Sequence, residues 1–206
     1  MSGVDLYVAL ALGIGLAAAS GFRVFIPPFL YGLATRFDLN PTAFAGSDMQ
    51  AWMASDVGLT VLGAAVVCEL LAYYIPWLDN LLDAIASPAA VMGGMVLMSS
   101  SLGELDPVLR WSTSIIVGGT TSGTVQVTTV GVRALSTAST GGLGNPLVST
   151  VEAAACLVCT VLALLLPLLA MALVVTGLIV GGRWLLRRRA MKGAEGVALV
   201  PMNPQT

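Results

Sequence analysis

The sequence predicts an all-α fold, a polytopic membrane helix bundle with five or six spans. The chain of 206 residues is 57% hydrophobic and only 10% charged, whereas an ordinary soluble domain carries roughly 25% charged residues. Its mean hydropathy is strongly positive, at +0.91. Several apolar segments reach the ~20 residues that a helix needs to cross a hydrocarbon core of ~30 Å. Water-soluble proteins are therefore excluded, and the lipid bilayer is the first expected partner.

The composition also excludes most catalytic classes. The chain contains no histidine, so imidazole-dependent catalytic sites and histidine-ligated metals cannot be built from it alone. Its three cysteines lie inside apolar runs, where thiols behave as small hydrophobic side chains. We therefore expect no enzyme activity, no cofactor and no metal site. The nine basic residues include a cluster at the C-terminus, and the remainder is too sparse for a nucleic-acid partner.

The first apolar segment, residues 6–37, is too long for one upright span, because roughly 32 helical residues extend over ~48 Å. We expect a break within it, since proline removes a backbone donor and clashes with the preceding turn. The residues that predict this break are Gly21, Arg23, Pro27 and Pro28. The segment is expected to form a kinked helix, or a helix followed by a re-entrant half-helix.

The second span is expected over residues 52–74 and is closed by Pro76. The stretch that follows mixes apolar and acidic positions at helical spacing, with Asp79 and Asp83 one turn apart. It is typical of an interfacial helix. Residues 87–101 are barely long enough to form a full span, unless part of this amphipathic stretch belongs to the same helix.

The second half of the chain contains two further long segments. Residues 108–134 are long enough to span, but their second half is crowded with hydroxyl groups and should face protein or water. The uncharged stretch over residues 136–146 is rich in turn-forming residues and ends with Asn145 and Pro146. The final apolar run, residues 147–184, is again too long for one upright span.

These segments predict one transmembrane domain, residues 1–185, and a basic tail, residues 186–206, which is expected to be disordered. Lys and Arg are in excess on the cytoplasmic side of membrane proteins, and the strongest basic cluster lies near the C-terminus. The C-terminus is therefore expected in the cytoplasm. Five spans would place the N-terminus outside, and an even number would place it inside.

Four charged residues within the predicted spans are the main candidates for function, because intramembrane charge is costly and faces the bundle interior or a cavity. They are Arg23, Glu69, Arg133 and Glu152. Each half of the chain contains a Gly-x-Arg triplet beside expected irregular backbone, followed by one glutamate. This pattern suggests an inverted repeat with broken helices, as in transporters. Asn145 completes the candidate binding site, and Asp79 and Asp83 are secondary candidates.

The charges have two interpretations. In the structural one, arginine and glutamate pair only to neutralise buried charge and fix helix register. In the functional one, Arg23 and Arg133 bind an anionic group, while Glu69 and Glu152 carry protons or cations. Groups that line a shared wet cavity would favour transport. Groups that are dry, directly paired and sealed by packing would favour the structural role.

Several short motifs together resemble a known family. They are residues 21–27, Glu69, residues 75–83, residues 131–133, residues 145–149 and Glu152. Their combination resembles the bacterial membrane family catalogued as domain of unknown function 4126, over about residues 5–180. The resemblance implies a small polytopic protein of the bacterial inner (plasma) membrane, and it implies no activity.

The expected function is a small transporter or channel for an ion or a small polar solute. Five or six helices leave little room for a pathway, so a homo-oligomer or a membrane-protein partner is expected. The alternative is a non-transporting structural or accessory subunit of a membrane complex. A third possibility, an intramembrane enzyme that acts on lipid, lacks a recognisable pair of nucleophile and base.

Overall fold

The computed structural model describes the backbone of residues 3–39, 47–72 and 76–198, and within the last range the side chains of residues 84–183 and Arg187. These residues form helices and turns, with no strand among them. The all-α prediction is therefore confirmed.

The described residues form nine α-helices and one π-helical segment. Those of the first half are α1 (Gly3–Phe22), α2 (Ile26–Arg36), α3 (Asp48–Ala54), α4 (Asp56–Ala72) and α5 (Pro76–Ser101). Those of the second half are α6 (Pro107–Thr113), a π-helical segment (Ser114–Gly119), α7 (Thr120–Thr140), α8 (Asn145–Leu165) and α9 (Pro167–Ala198). The chain divides into two compact units, Met1–Met171 and Ala172–Thr206.

Three helical stretches are long and apolar enough to cross a membrane: α1, the Ala84–Ser101 part of α5, and α8. Helices α3 and α4 pass the same test only together, as a broken or re-entrant span bent by 72°. By length and composition the described residues therefore contain three candidate spans, or four with this bent pair, whereas five or six were predicted. Helix α7 has sufficient length, but its many hydroxyl-bearing residues lower its hydropathy.

The first predicted break is confirmed, because α1 ends at Phe22 and α2 begins at Ile26. Pro27 and Pro28 lie in the first turn of α2. Proline is tolerated there because the first amides of a helix have no intrahelical partner. These prolines start the second helix, and the break itself lies just before them.

The span predicted over residues 52–74 contains a break near its start, because α3 and α4 are separated at Ser55. The Ser55 hydroxyl donates a hydrogen bond to the Trp52 carbonyl oxygen (2.7 Å) and accepts one from the Gly58 amide (3.0 Å). This side chain satisfies backbone groups on both sides of the bend, which ends one helix and begins the next.

Two further boundaries differ from expectation. Pro76 begins α5, where the sequence predicts the close of the preceding span, because proline suits a first helical position. Residues 136–140 continue α7, and only residues 141–144 form the turn before α8.

The amphipathic stretch and residues 87–101 form one helix, α5, as the sequence allowed. Helix α9 extends to Ala198, and the disorder expected over residues 186–206 stays a prediction.

Helix α1 lies at the centre of the first unit and packs against α5, α7 and α8. Most of its buried residues are alanine or glycine, and such small residues let neighbouring backbones approach closely. The largest apolar cluster joins α1 to α2, α3, α4, α5 and α8, and its bulkiest members are Leu12, Leu16, Tyr31, Met53, Leu97 and Leu164. The core is thus organised around α1.

A close helix contact gives a first prediction. A Cβ atom on Gly94 of α5 would lie 2.8 Å from the Gly118 carbonyl oxygen and would also meet the Ser122 side chain. Gly94→Ala is therefore expected to lower the free energy of unfolding by about 1–3 kcal/mol through overpacking. The matched control is Gly131→Ala on α7, where a Cβ meets nothing within 4 Å. That change should be neutral or stabilising by up to about 1 kcal/mol, since alanine favours helix.

Thermal or denaturant unfolding of the two variants in the same detergent measures this difference. Equal stability of Gly94→Ala and Gly131→Ala would contradict the close packing of α5 against the π-helical segment.

Candidate functional site

Arg23 lies in the break between α1 and α2 and reaches across to α8. Its Nη2 donates hydrogen bonds to the carbonyl oxygen (2.8 Å) and the Oγ atom (2.5 Å) of Ser149. The same nitrogen lies 3.5 Å from Oε2 of Glu152. The guanidinium group therefore holds the break against the first turns of α8.

Glu69, near the end of α4, binds the main chain of the same break. Its Oε1 accepts a hydrogen bond from the Val24 amide (2.8 Å), and its Oε2 accepts one from the Phe25 amide (3.1 Å). Amides at a helix start have no partner within the helix, and a negative charge there interacts favourably with the helix dipole. Glu69 thus caps α2 from another helix.

Arg133 on α7 and Glu152 on α8 form the second charged contact. The Nε atom of Arg133 lies 3.2 Å and 3.0 Å from the two carboxylate oxygens of Glu152. The Nη2 atom also donates to Oε2. This fork geometry is the strong mode of arginine–carboxylate pairing. Glu152 therefore binds both arginines, since Arg23 approaches the same oxygen.

We call these four residues the charge network. Glu69 binds the amide of Val24, the residue after Arg23, while Arg23 and Arg133 both meet Glu152. All four intramembrane candidates named from the sequence therefore belong to one site. The side chains are sealed from solvent, since the exposed fraction of each residue is 1% for Arg23, 3% for Arg133 and 6% for each glutamate. The site is therefore buried and held by internal contacts.

Asn145, the fifth candidate, lies at the start of α8 with Pro146 in its first turn. It is buried, and its Nδ2 donates a hydrogen bond to Oγ1 of Thr137 on α7 (3.0 Å). It shares a face of α8 with Ser149 and Glu152, because positions four and seven residues apart lie on the same side of a helix. Asn145 thus joins α7 to α8 on the network side of α8.

The secondary candidates Asp79 and Asp83 lie in α5, but their side chains fall outside the described residues. No group of three or more His, Cys, Asp or Glu that could hold a metal occurs within the described part of the chain. A cavity of about 260 Å³ is found between α3, α5 and α6, and none of the five primary candidates lines it.

Two contributors to the site were not singled out from the sequence. Ser149 accepts from Arg23, and the Cys156 thiol donates to the Ala19 carbonyl oxygen at 3.3 Å. That carbonyl oxygen lies near the end of α1 and also accepts a hydrogen bond from the Arg23 amide (3.2 Å). Both residues continue the helical spacing that runs from Asn145 through Glu152, so the 3.6-residue period of α8 could have identified them.

Helix α7 turns a polar face inward. Its buried polar residues at helical spacing are Ser122, Gln126, Thr129 and Arg133. The hydroxyl groups of Thr124 and Thr128 are exposed and donate to carbonyl oxygens of their own helix, at 2.7 and 2.9 Å. The expected irregular backbone beside Arg133 was wrong, because α7 is helical through this triplet. The two Gly-x-Arg triplets therefore have different backbone settings, and the inverted repeat stays a prediction.

Comparison with known proteins was made against families, curated proteins and solved structures. No curated protein matches the chain, and no solved structure matches it. A family model described as "Domain of unknown function (DUF4126)" matches residues 10–188. This range covers all of α1 except its first seven residues, the whole charge network and most of α9. The chain therefore belongs to the family of domain of unknown function 4126, as its short motifs suggested.

Proposed function

We propose that the protein is a non-transporting structural or accessory subunit of a membrane complex. The observation that carries this proposal is that the charge network is buried and that its groups are engaged by other groups of the protein. Arg23 and Arg133 meet Glu152, while Glu69 is engaged by the amides of Val24 and Phe25. A transport site needs charged groups that a solute can reach, and these groups are sealed by packing.

In this role the network fixes how the helices pack. Charged side chains within a membrane are stable only when they are paired, so α8 can dock beside α1 and α7 only in the register that brings Glu152 to both arginines. Removing either partner would leave a buried charge uncompensated. The network therefore stabilises one packing register of the helices relative to registers in which a helix is shifted along its axis.

Reconstitution into vesicles tests this role. The purified full-length chain is expected to give ion and small-acid flux no faster than empty vesicles. In native membranes it should copurify with one membrane protein at a fixed ratio. The control is the Glu69→Gln variant in matched vesicles. The proposal would be overturned if the parent protein gave faster flux than empty vesicles and the Glu69→Gln variant lost this flux. It would also be overturned if the chain were always purified without a partner.

Transport of an ion or a small polar solute is the second candidate, and the broken helix favours it. Broken helices whose free backbone groups bind substrate are the common device of secondary transporters. Here the amides of Val24 and Phe25 are held by a side chain, Glu69, which a competing anion could displace. The flux assay above separates this candidate from the structural role.

The orientation and setting form part of the same proposal: a bacterial plasma membrane, a cytoplasmic C-terminus and assembly as a homo-oligomer or with a partner. The basic cluster near the C-terminus supports the orientation. A fluorescent protein fused after Thr206 should fluoresce if the C-terminus is cytoplasmic, and an exported phosphatase fused there should be inactive. The reverse pattern would contradict the orientation.

A further inference from the structure

The cavity between α3, α5 and α6 has no part in the charge network. Its lining residues include Ser99, Arg110 and Trp111. Ser99 belongs to the last turn of the apolar stretch Ala84–Ser101. The cavity therefore opens at the end of a membrane span, which is the depth at which tryptophan is enriched and phospholipid headgroups lie.

Arg110 gives the cavity a cationic hydrogen-bond donor. Its Nη1 makes one long contact, 3.5 Å, to the Gly103 carbonyl oxygen. Its Nε atom is buried and has no hydrogen-bond partner among the described residues. The Nε atom is sealed from solvent, so a ligand in the cavity would meet the Nη atoms, and the guanidinium group suits the oxygens of a phosphate or carboxylate.

Asp48 at the start of α3 lines the same cavity and adds a negative charge. Its carboxylate would oppose a ligand that carries only negative charge, but it would attract an ammonium group. The volume of about 260 Å³ corresponds to roughly eight or nine waters at ~30 Å³ each. The lining thus offers one cationic donor, one carboxylate and serine hydroxyls, with space for a small headgroup.

We propose that this cavity binds a zwitterionic phosphoethanolamine group. The phosphate binds Arg110, the ammonium binds Asp48, and the exposed Trp111 at the rim contacts the adjoining apolar part of the ligand. At this depth the source is the headgroup of an aminophospholipid. The same chemistry is present in free phosphoethanolamine, and the experiment distinguishes the two.

Native mass spectrometry of the full-length chain in detergent measures binding of single lipids. Phosphatidylethanolamine is expected to bind about tenfold tighter than phosphatidylglycerol, because only the former brings an ammonium to the carboxylate. Arg110→Gln should lose about tenfold in affinity, and Asp48→Asn should remove the preference between the two lipids. The control Arg36→Gln changes an arginine that is paired with Asp56 and does not line the cavity, so it should bind as the parent does.

Arg110→Lys is included in case Arg110→Gln fails to fold, since lysine keeps the charge and loses the fork. It should bind phosphatidylethanolamine several-fold more weakly. Free phosphoethanolamine is then added to the lipid-bound protein. If it displaces the lipid and this displacement depends on Arg110, the cavity binds a soluble ligand of this chemistry. If it does not displace the lipid, the cavity is a lipid site. Equal binding of both lipids, or binding unaffected by both Arg110 variants, would overturn the proposal.

Discussion

Glu152→Gln is expected to lower the free energy of unfolding by about 3–5 kcal/mol, the loss typical of removing one partner from a buried ion pair. The change is nearly isosteric, so packing alone cannot account for a loss of this size. It removes a carboxylate that pairs with both Arg23 and Arg133. Unfolding in mixed detergent micelles, followed by circular dichroism, measures the loss.

Two comparisons sharpen this test. Asp56→Asn breaks the ion pair with Arg36, but that aspartate side chain is 87% exposed, so the expected loss is below about 1 kcal/mol. The double change Arg133→Gln with Glu152→Gln removes charges of both signs and should be less destabilising than the sum of the single changes. Strict additivity, or a Glu152→Gln protein as stable as the parent, would show that the pair is not coupled.

Glu69→Ala is expected to be the second most damaging change, at about 2–4 kcal/mol, because the buried amide of Val24 and the partly buried amide of Phe25 would both lose their acceptor. Glu69→Gln keeps one acceptor oxygen and should cost about half as much. The effect should be local to the start of α2.

Hydrogen exchange followed by mass spectrometry reports on this segment directly. Peptides that contain Val24 and Phe25 should exchange faster in Glu69→Ala, with an intermediate rate in Glu69→Gln. The control is Glu104→Ala, which changes a glutamate in the turn between α5 and α6 and should leave these peptides unchanged. Unaltered exchange in Glu69→Ala would refute the capping role.

The sequence predicted features of the fold that have local causes. Composition identified an all-helical membrane protein, and the prolines near Pro27 located the first break to within a few residues. The break at Ser55 was not predicted, because neither glycine nor proline occurs there. Its signal was the pair Ser55 and Asp56, a serine cap followed by an acidic first-turn residue. The sequence left open whether the two parts of α5 form one helix, because one part is amphipathic and the other is apolar.

The sequence also named the charged members of the site, since an intramembrane charge stands out in an apolar segment. It could not show how they pair. Arg23 and Ser149 are separated by 126 positions, and that contact depends on the packing of α1 against α8. For the same reason the sequence left a binding site and an internal ion pair as two open interpretations of the same four residues. Burial and distance, which are tertiary properties, are the observations that bear on this choice.

The long separation between Arg23 and its partners has a consequence for biosynthesis. At ~5–20 residues per second, the ribosome needs roughly 6–25 seconds to synthesise the 126 positions from Arg23 to Ser149. During that interval α1 and its arginine have left the ribosome and α8 does not yet exist. The nascent chain must therefore keep Arg23 in a polar setting, at the membrane surface or within the insertion machinery. Final seating of α1 can follow only when α8 arrives.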